Sequence, residues 1–265
     1  MSSAVGLAAL QDRIRRIERP GARRRGVLPF GIAALDAALP GGGLALGALH
    51  EIHGSGADEE DGAAAAGFVA GMAGRIGTGA VLWCLKRGDL YGPGLAAHGL
   101  DPARIILVRA SRDDDILWAL EEGLRTPSSL AGSPGSVAAV VGEVGTLPMV
   151  AGRRLQLAAG RSGITAFLLR RWRTGAEAAA ERARPSAALT RWRVAALPSL
   201  CGGEPGIGTP RWRVALLRCR GAGPAEWIVE VADATGLVSL SAGLADRPAA
   251  PRRVAAADEP RRAAG

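Results

Sequence analysis

The sequence is nearly devoid of lysine: Lys86 is the only one, and arginine supplies the rest of the 33 basic residues. This scarcity bears on nucleotide chemistry, because a working phosphate-binding loop places a lysine against the terminal phosphates. Aromatic residues make up only 4 % of the chain, yet an apolar content of 48 % is enough for a packed globular core.

The sequence also lacks the marks of membrane, secreted and metal-binding proteins. No run approaches the roughly 20 consecutive apolar residues of a membrane span. The N-terminal basic residues follow the apolar part, which is the reverse of a secretory signal. Three unclustered cysteines indicate no disulfide framework. His50 and His53 are expected on opposite faces of a strand, so no metal site is predicted. We expect a soluble cytoplasmic protein.

Positive charge is the main feature that is present. The net charge is +8 and the pI is about 10.9. An arginine bias of this kind has two explanations, a GC-rich genome or an anionic partner such as nucleic acid, since the guanidinium group matches phosphate and stacks on bases.

Three segments are predicted along the chain. Residues 1–25 form an amphipathic helix and a basic linker, residues 26–245 a folded domain, and residues 246–265 a flexible tail rich in Pro, Ala and Arg. The helix carries one apolar stripe at three- and four-residue spacing. The stripe docks either on its own domain or on another protein, and both alternatives stay open. Its candidate partner-binding residues are Leu7, Leu10, Ile14 and Ile17.

The folded domain alternates apolar strands with helices. Runs such as "GAVLWCL", "SVAAVVGEV" and "ITAFLLR" are apolar on both faces, which is typical of a parallel sheet covered by helices on both sides. After residue 171 come a predicted mobile loop and three closely spaced strand-like runs, "TRWRVAAL", "PRWRVALLRCR" and "EWIVEVAD". These runs predict an antiparallel edge to the sheet. The fold class is therefore α/β.

The stretch "HGSGADEEDG" has the layout of a phosphate-binding loop without its chemistry. When the pattern G-x-x-x-x-G-K-[ST] is aligned on Gly54, Glu60 takes the lysine position and Asp61 the hydroxyl position. Acidic side chains at a helix start interact well with the helix dipole, but they repel phosphate. We predict no cofactor, no catalytic residue and a degenerate loop. The residues of that loop are Gly54, Gly56, Glu59, Glu60 and Asp61.

Several stretches together resemble a known family. "FGIAALDAALPGGGLALGALHEIHG" resembles the entry to the RecA-type core. With "LYGPGLAAHGLDPARIILVRA", "WALEEGLR", "RRLQLAAGRSG", "TRWRVAALPS" and "PRWRVALLRCRG", the chain resembles the ImuA family over roughly residues 28–232. The resemblance implies a RecA-like core in a non-catalytic accessory protein of the SOS response to DNA damage, one that promotes mutagenic translesion synthesis.

The partners implied by the resemblance are ImuB and an error-prone C-family DNA polymerase. RecA and single-stranded DNA are further candidate partners, and no membrane is expected. Two alternatives remain open, a cell-division inhibitor like SulA and a DNA-dependent ATPase with a non-standard site.

Arginine and tryptophan occur together in three "RWR" triplets. In the last two, strand alternation puts tryptophan on one face and arginine on the other, so the aromatic rings fill the core or flank a basic surface. The segment from Arg170 to Arg184 matches the position of the second DNA-binding loop of RecA. Its candidate DNA-binding residues are Arg170, Arg171, Trp172, Arg173, Arg182 and Arg184.

Overall fold

The computed structural model describes residues 26–125, 136–200, 208–231 and 235–240. The predicted N-terminal stripe and C-terminal tail lie outside these residues. Within the described ranges, no helix has the length and apolarity needed to cross a bilayer.

A nine-stranded sheet forms the centre of the fold. Its strands are β3 (Leu49–Gly54), β4 (Ala80–Leu85), β5 (Ile105–Arg109), β6 (Val137–Val144), β7 (Thr165–Arg170), β8 (Thr190–Leu200), β9 (Thr209–Cys219), β10 (Ala225–Val231) and β11 (Val238–Leu240). They lie in the order β11-β10-β9-β8-β3-β7-β6-β4-β5. The strands from β5 through β3 to β8 run parallel, and β8 to β11 pair antiparallel. This arrangement confirms the predicted α/β fold with an antiparallel edge. A separate small sheet pairs β1 (Val27–Leu28) with β2 (Leu44–Ala45).

Helices cover both faces of the sheet. They are α1 (Ala33–Ala37), α2 (Asp58–Gly74), α3 (Gly92–Ala97), α4 (Asp113–Gly123), α5 (Met149–Ser162) and α6 (Gly175–Ala183), with a 3-10 turn at Pro102–Arg104. One core cluster joins α2, through Phe68, to Trp83 and Trp192. The other joins α4 and α5 to the opposite face, through residues such as Ile116 and Leu155.

The second and third "RWR" triplets follow the alternation of their strands. Trp192 and Trp212 are buried in the core on the α2 side. Arg193 and Arg213 lie on the other face, where their guanidinium nitrogens approach the Glu226 carboxylate at 3.3 and 3.5 Å. The tryptophans thus fill the core and the arginines pair across strands.

The segment from Arg170 to Arg184 differs from the prediction of a long mobile loop. Arg170 is the last residue of β7, and the residues from Gly175 onward form α6. The helix begins after Thr174, whose hydroxyl oxygen accepts from the Glu177 amide at 3.2 Å and so satisfies an otherwise unpaired N–H group.

Candidate functional site

An open cleft of about 670 Å³ lies where β4, β6 and β7 end and α2 begins. In parallel sheets this edge is the usual place for a ligand, because helix N-termini and strand ends converge there. Charged side chains of both signs line it. They are Asp58, Glu59, Lys86, Arg87, Asp113, Glu143, Arg171, Arg173 and Glu177. We call it the carboxyl-edge cleft.

The loop between β3 and α2 is filled by its own carboxylates. The Asp61 carboxylate accepts from the Ser55 amide at 3.0 Å, from the Ser55 hydroxyl, and from the Ala196 amide at 2.7 Å. Glu60 folds back so that its carboxylate lies against Gly56, where a Cβ atom would collide with it. Backbone amides of such a loop are the groups that would bind phosphate, and an acid already uses the Ser55 amide.

Arg171 lines the cleft beside this loop. Its side chain makes five hydrogen bonds to carboxylate oxygens: two to Asp58 at 2.8 and 2.5 Å, two to Asp89 at 2.9 and 2.8 Å, and one to Glu143 at 2.6 Å. A guanidinium group has five N–H donors, so none is left for an incoming anion. We call these four residues the Arg171 cluster.

The Arg171 cluster ties four parts of the fold together. Arg171 directly follows β7, Asp58 opens α2, Glu143 lies in β6, and Asp89 follows β4. Glu143 also accepts from the Trp83 indole nitrogen at 2.8 Å, which fixes its carboxylate inside the sheet edge. In a RecA-type nucleotide site, the phosphate-binding loop and the acidic residues would come from these same positions. Here the side chains at these positions bind one another.

Burial and ion pairing compete in setting the pKa values of the cluster. Burial raises the pKa of Glu143, and Arg171 only partly offsets this effect. The hydrogen bond from Arg171 lowers the pKa of Asp89, which is more exposed to water. Burial alone would lower the pKa of Arg171, but its bonds to Asp58 and Asp89 outweigh burial and raise it. Arg171 therefore stays charged in the cleft.

The single lysine is engaged elsewhere in the cleft. The Lys86 ammonium lies 2.5 Å from the Asp113 carboxylate, at the start of α4. Asp113 also accepts from the Thr146 amide at 2.9 Å. Arg87, the next residue, approaches Asp58 at 3.1 Å.

A second ion cluster is buried beneath the cleft. Arg170 donates to Glu51 at 2.8 Å, to Glu181 at 2.8 Å and to the Gly145 carbonyl at 2.6 Å. Arg191 approaches the other Glu51 oxygen at 3.2 Å. Burial opposes ionisation of Glu51, but Arg170 and Arg191 outweigh it and lower the pKa of this carboxyl.

The predicted DNA-binding residues do not share one surface. Arg170 is buried in this second cluster, and Arg171 is held by three carboxylates. Trp172, which we expected to stack on a base, is 1 % exposed. Its indole nitrogen donates to the Gly145 carbonyl at 2.9 Å. Its ring centroid lies 5.2 Å from that of His53. In this conformation its ring is therefore closed to a nucleic acid.

The remaining three candidates lie closer to water. Arg182 lies over the Trp172 ring and donates to the Ser55 carbonyl. Arg184 pairs with Glu181 at 2.9 Å but keeps 58 % of its side chain exposed. Arg173 is exposed. DNA contact by this segment stays a prediction, and among its six candidates it rests chiefly on Arg173 and Arg184.

The histidines are part of the buried framework. The Nε2 of His50 donates to the Ala45 carbonyl at 2.8 Å, and its Nδ1 accepts from the Thr190 hydroxyl at 2.7 Å. Burial lowers the pKa of His50 and of His53 to about 4, so both are neutral near pH 7. Among the residues that the structure describes, no group of three or more His, Cys, Asp or Glu side chains is arranged to hold a metal ion.

Sequence reasoning missed the Arg171 cluster. The sequence predicts Arg171 only as a DNA contact, and its bonds to Asp58, Asp89 and Glu143 were not predicted. Asp58 and Arg171 are 113 residues apart, so no local spacing connects them. Only the order of the strands brings them together.

Comparison with known proteins identifies the family. No family model matches the chain. The chain is 41 % identical to Protein ImuA of Caulobacter vibrioides strain NA1000 / CB15N over 215 residues, which cover 78 % of this chain and 84 % of that protein. Protein ImuA of strain ATCC 19089 / CIP 103742 matches to the same extent. The chain therefore belongs to the ImuA family.

Proposed function

We propose that this protein is a non-catalytic accessory protein of SOS-induced translesion DNA synthesis and mutagenesis. It acts with ImuB and an error-prone C-family DNA polymerase. Membership in the ImuA family supports the assignment to damage-induced mutagenesis.

The observation that carries the non-catalytic part is the saturation of Arg171 by Asp58, Asp89 and Glu143. Phosphoryl transfer needs a cation on the terminal phosphates, a hydroxyl on magnesium and an acid that orients water. In this chain Glu60 and Asp61 occupy the sequence positions where the cation and the hydroxyl of a phosphate-binding loop would be. Glu143, an acid of the cleft at the end of a central strand, is bound by Arg171 and Trp83.

A mutagenesis assay in the host bacterium tests the biological role. Deleting the gene should reduce the frequency of ultraviolet-induced mutants, and the intact gene should restore it. The variant Lys86→Ala should restore it as well, because an accessory protein does not depend on the cation of a catalytic cleft. Undiminished mutagenesis in the deletion strain would contradict the proposal.

The same strains separate this role from cell-division inhibition. A SulA-like protein blocks division when overproduced and binds FtsZ. We expect normal cell length on overproduction and co-purification with ImuB from damaged cells. Filamentation with recovery of FtsZ in place of ImuB would favour the division inhibitor.

A further inference from the structure

Helices α4 and α5 cover the same face of the sheet, and both carry large apolar side chains on their outer surfaces. Trp118 on α4 is 64 % exposed, and Val150 and Leu157 on α5 are 68 % and 60 % exposed. Exposed tryptophan is characteristic of association surfaces, because it buries a large area at low entropic cost.

These three side chains lie around one contact between the helices. Arg154 of α5 forms an ion pair with Glu121 of α4. Trp118 lies three residues before Glu121, while Val150 and Leu157 lie four residues before and three after Arg154. Such spacings place side chains next to each other on a helix surface. Trp118 on one helix and Val150 and Leu157 on the other therefore flank this ion pair, and we call these three residues the α4–α5 patch.

The α4–α5 patch is not needed to build the core. The inner side of α4 contributes Ile116 and Leu120 to the buried cluster, and the inner side of α5 contributes Leu155 and Ala159. The patch residues point the other way, so packing within the described residues does not account for their apolar character.

Two charges beside the patch lack a partner within the described part of the chain. Asp115 lies one turn before Trp118 and is exposed. Arg153 lies between Val150 and Leu157 and is also exposed. Neither side chain makes a hydrogen bond or ion pair with the residues that the structure describes. The patch therefore presents an acid beside its tryptophan on one helix and a cation between its aliphatic residues on the other.

This arrangement is self-complementary. A two-fold axis places the same surface of two copies face to face, so that α4 of each meets α5 of the other. We propose that the α4–α5 patch is the interface of a homodimer. Trp118 of each copy packs between Val150 and Leu157 of the second copy, and Asp115 of each pairs with Arg153 of the second.

Sedimentation velocity of the full-length protein across the micromolar range tests the dimer. The wild-type protein should sediment as a dimer, and Trp118→Asp or Leu157→Asp should weaken self-association at least about tenfold. Tyr91→Asp is the matched control, since Tyr91 is 71 % exposed on another part of the surface. Circular dichroism should show all three variants folded. A wild-type monomer, or a dimer that survives both patch variants, would overturn the proposal.

Charge reversal tests the pairing itself. Asp115→Arg alone places two arginines opposite each other at both contacts, and Arg153→Glu alone places two acids there, so each variant should be mostly monomeric. An equimolar mixture of the two variants should form a heterodimer. At one contact the introduced arginine then meets the introduced glutamate, and at the other the native Asp115 meets the native Arg153. If the mixture stays monomeric, or either variant alone dimerises like the wild type, this two-fold arrangement is wrong.

Discussion

At the scale of single residues, Arg171 donates five hydrogen bonds to the carboxylates of three acids in the cleft. Glu143 and Asp58 have only 3 % and 5 % of their side chains exposed, so without Arg171 they would be buried charges with few remaining partners. We expect Arg171→Ala to lower the free energy of unfolding by about 3 kcal/mol. This value is at the lower end of the range for breaking a buried ion pair, because the open cleft admits water. Urea denaturation measures it.

Two variants control this result. Arg171→Lys keeps the charge but offers one ammonium group in place of a planar fork, so it should recover only part of the loss. Arg173→Ala removes an exposed neighbouring arginine and should change stability by no more than about 0.5 kcal/mol. Equal effects of Arg171→Ala and Arg173→Ala would show that the Arg171 cluster contributes nothing specific.

Glu51 makes stability depend on pH. Its folded-state pKa lies below the ordinary value of 4.5. A lowered acid pKa contributes stability that is fully present above the unfolded-state value and is lost as pH falls through the folded-state value. The stability gap between the wild type and Glu51→Gln should therefore be widest near pH 6 and shrink below about pH 4. Denaturant titrations at several pH values measure the gap, and a gap that does not change with pH would contradict this account.

At the scale of secondary-structure elements, α6 forms where a mobile loop was predicted, although its sequence contains helix signals. "TGAEAAAERA" offers a Thr cap, a Glu three residues later and a run of alanines, all of which favour a helix. We expect Thr174→Ala to reduce stability by about 1 kcal/mol, because the Glu177 amide loses its acceptor. Thr174→Ser keeps an acceptor and should stay close to the wild type in thermal melts. Equal losses in the two variants would argue against capping.

The other major elements followed from their sequence patterns. Continuous apolar runs predicted β4, β6 and β7, and alternation predicted the strands with tryptophan, because burial on one or both faces leaves a direct periodic signature. The small β1–β2 sheet and helix α3 were not predicted, since two to six residues carry too little periodicity. The carboxyl-edge location of the site was predictable, but its ion pairs were not, because they depend on strand order rather than on spacing.

At the scale of the whole molecule, positive charge is concentrated near the N-terminus. Residues 1–25 contain seven arginines against Asp12 and Glu18, within a net charge of +8 for the chain. We expect any salt-sensitive binding to single-stranded DNA to depend more on this segment than on the residues around α6. Changing Arg13, Arg15, Arg16 and Arg19 to Gln should reduce the slope of log binding constant against log salt concentration. The reduction should be up to about 2.8, at about 0.7 for each phosphate contact that is lost.

The two exposed arginines around α6, Arg173 and Arg184, provide the comparison for the N-terminal arginines. Arg173→Gln with Arg184→Gln should flatten the same dependence by at most about 1.4. Fluorescence anisotropy with a labelled oligonucleotide over a range of salt concentrations measures both slopes. A larger effect from the α6 pair would place the main contact beside the carboxyl-edge cleft.

We expect Arg171 and the acids of the loop to keep nucleotide out of the carboxyl-edge cleft. Titration of the full-length protein with ATP and magnesium in a calorimeter tests it most directly, accompanied by a turnover assay with and without single-stranded DNA. We expect no saturable heat up to millimolar ATP and no turnover above the buffer rate. Saturable binding, together with turnover that Glu143→Gln abolishes, would contradict it.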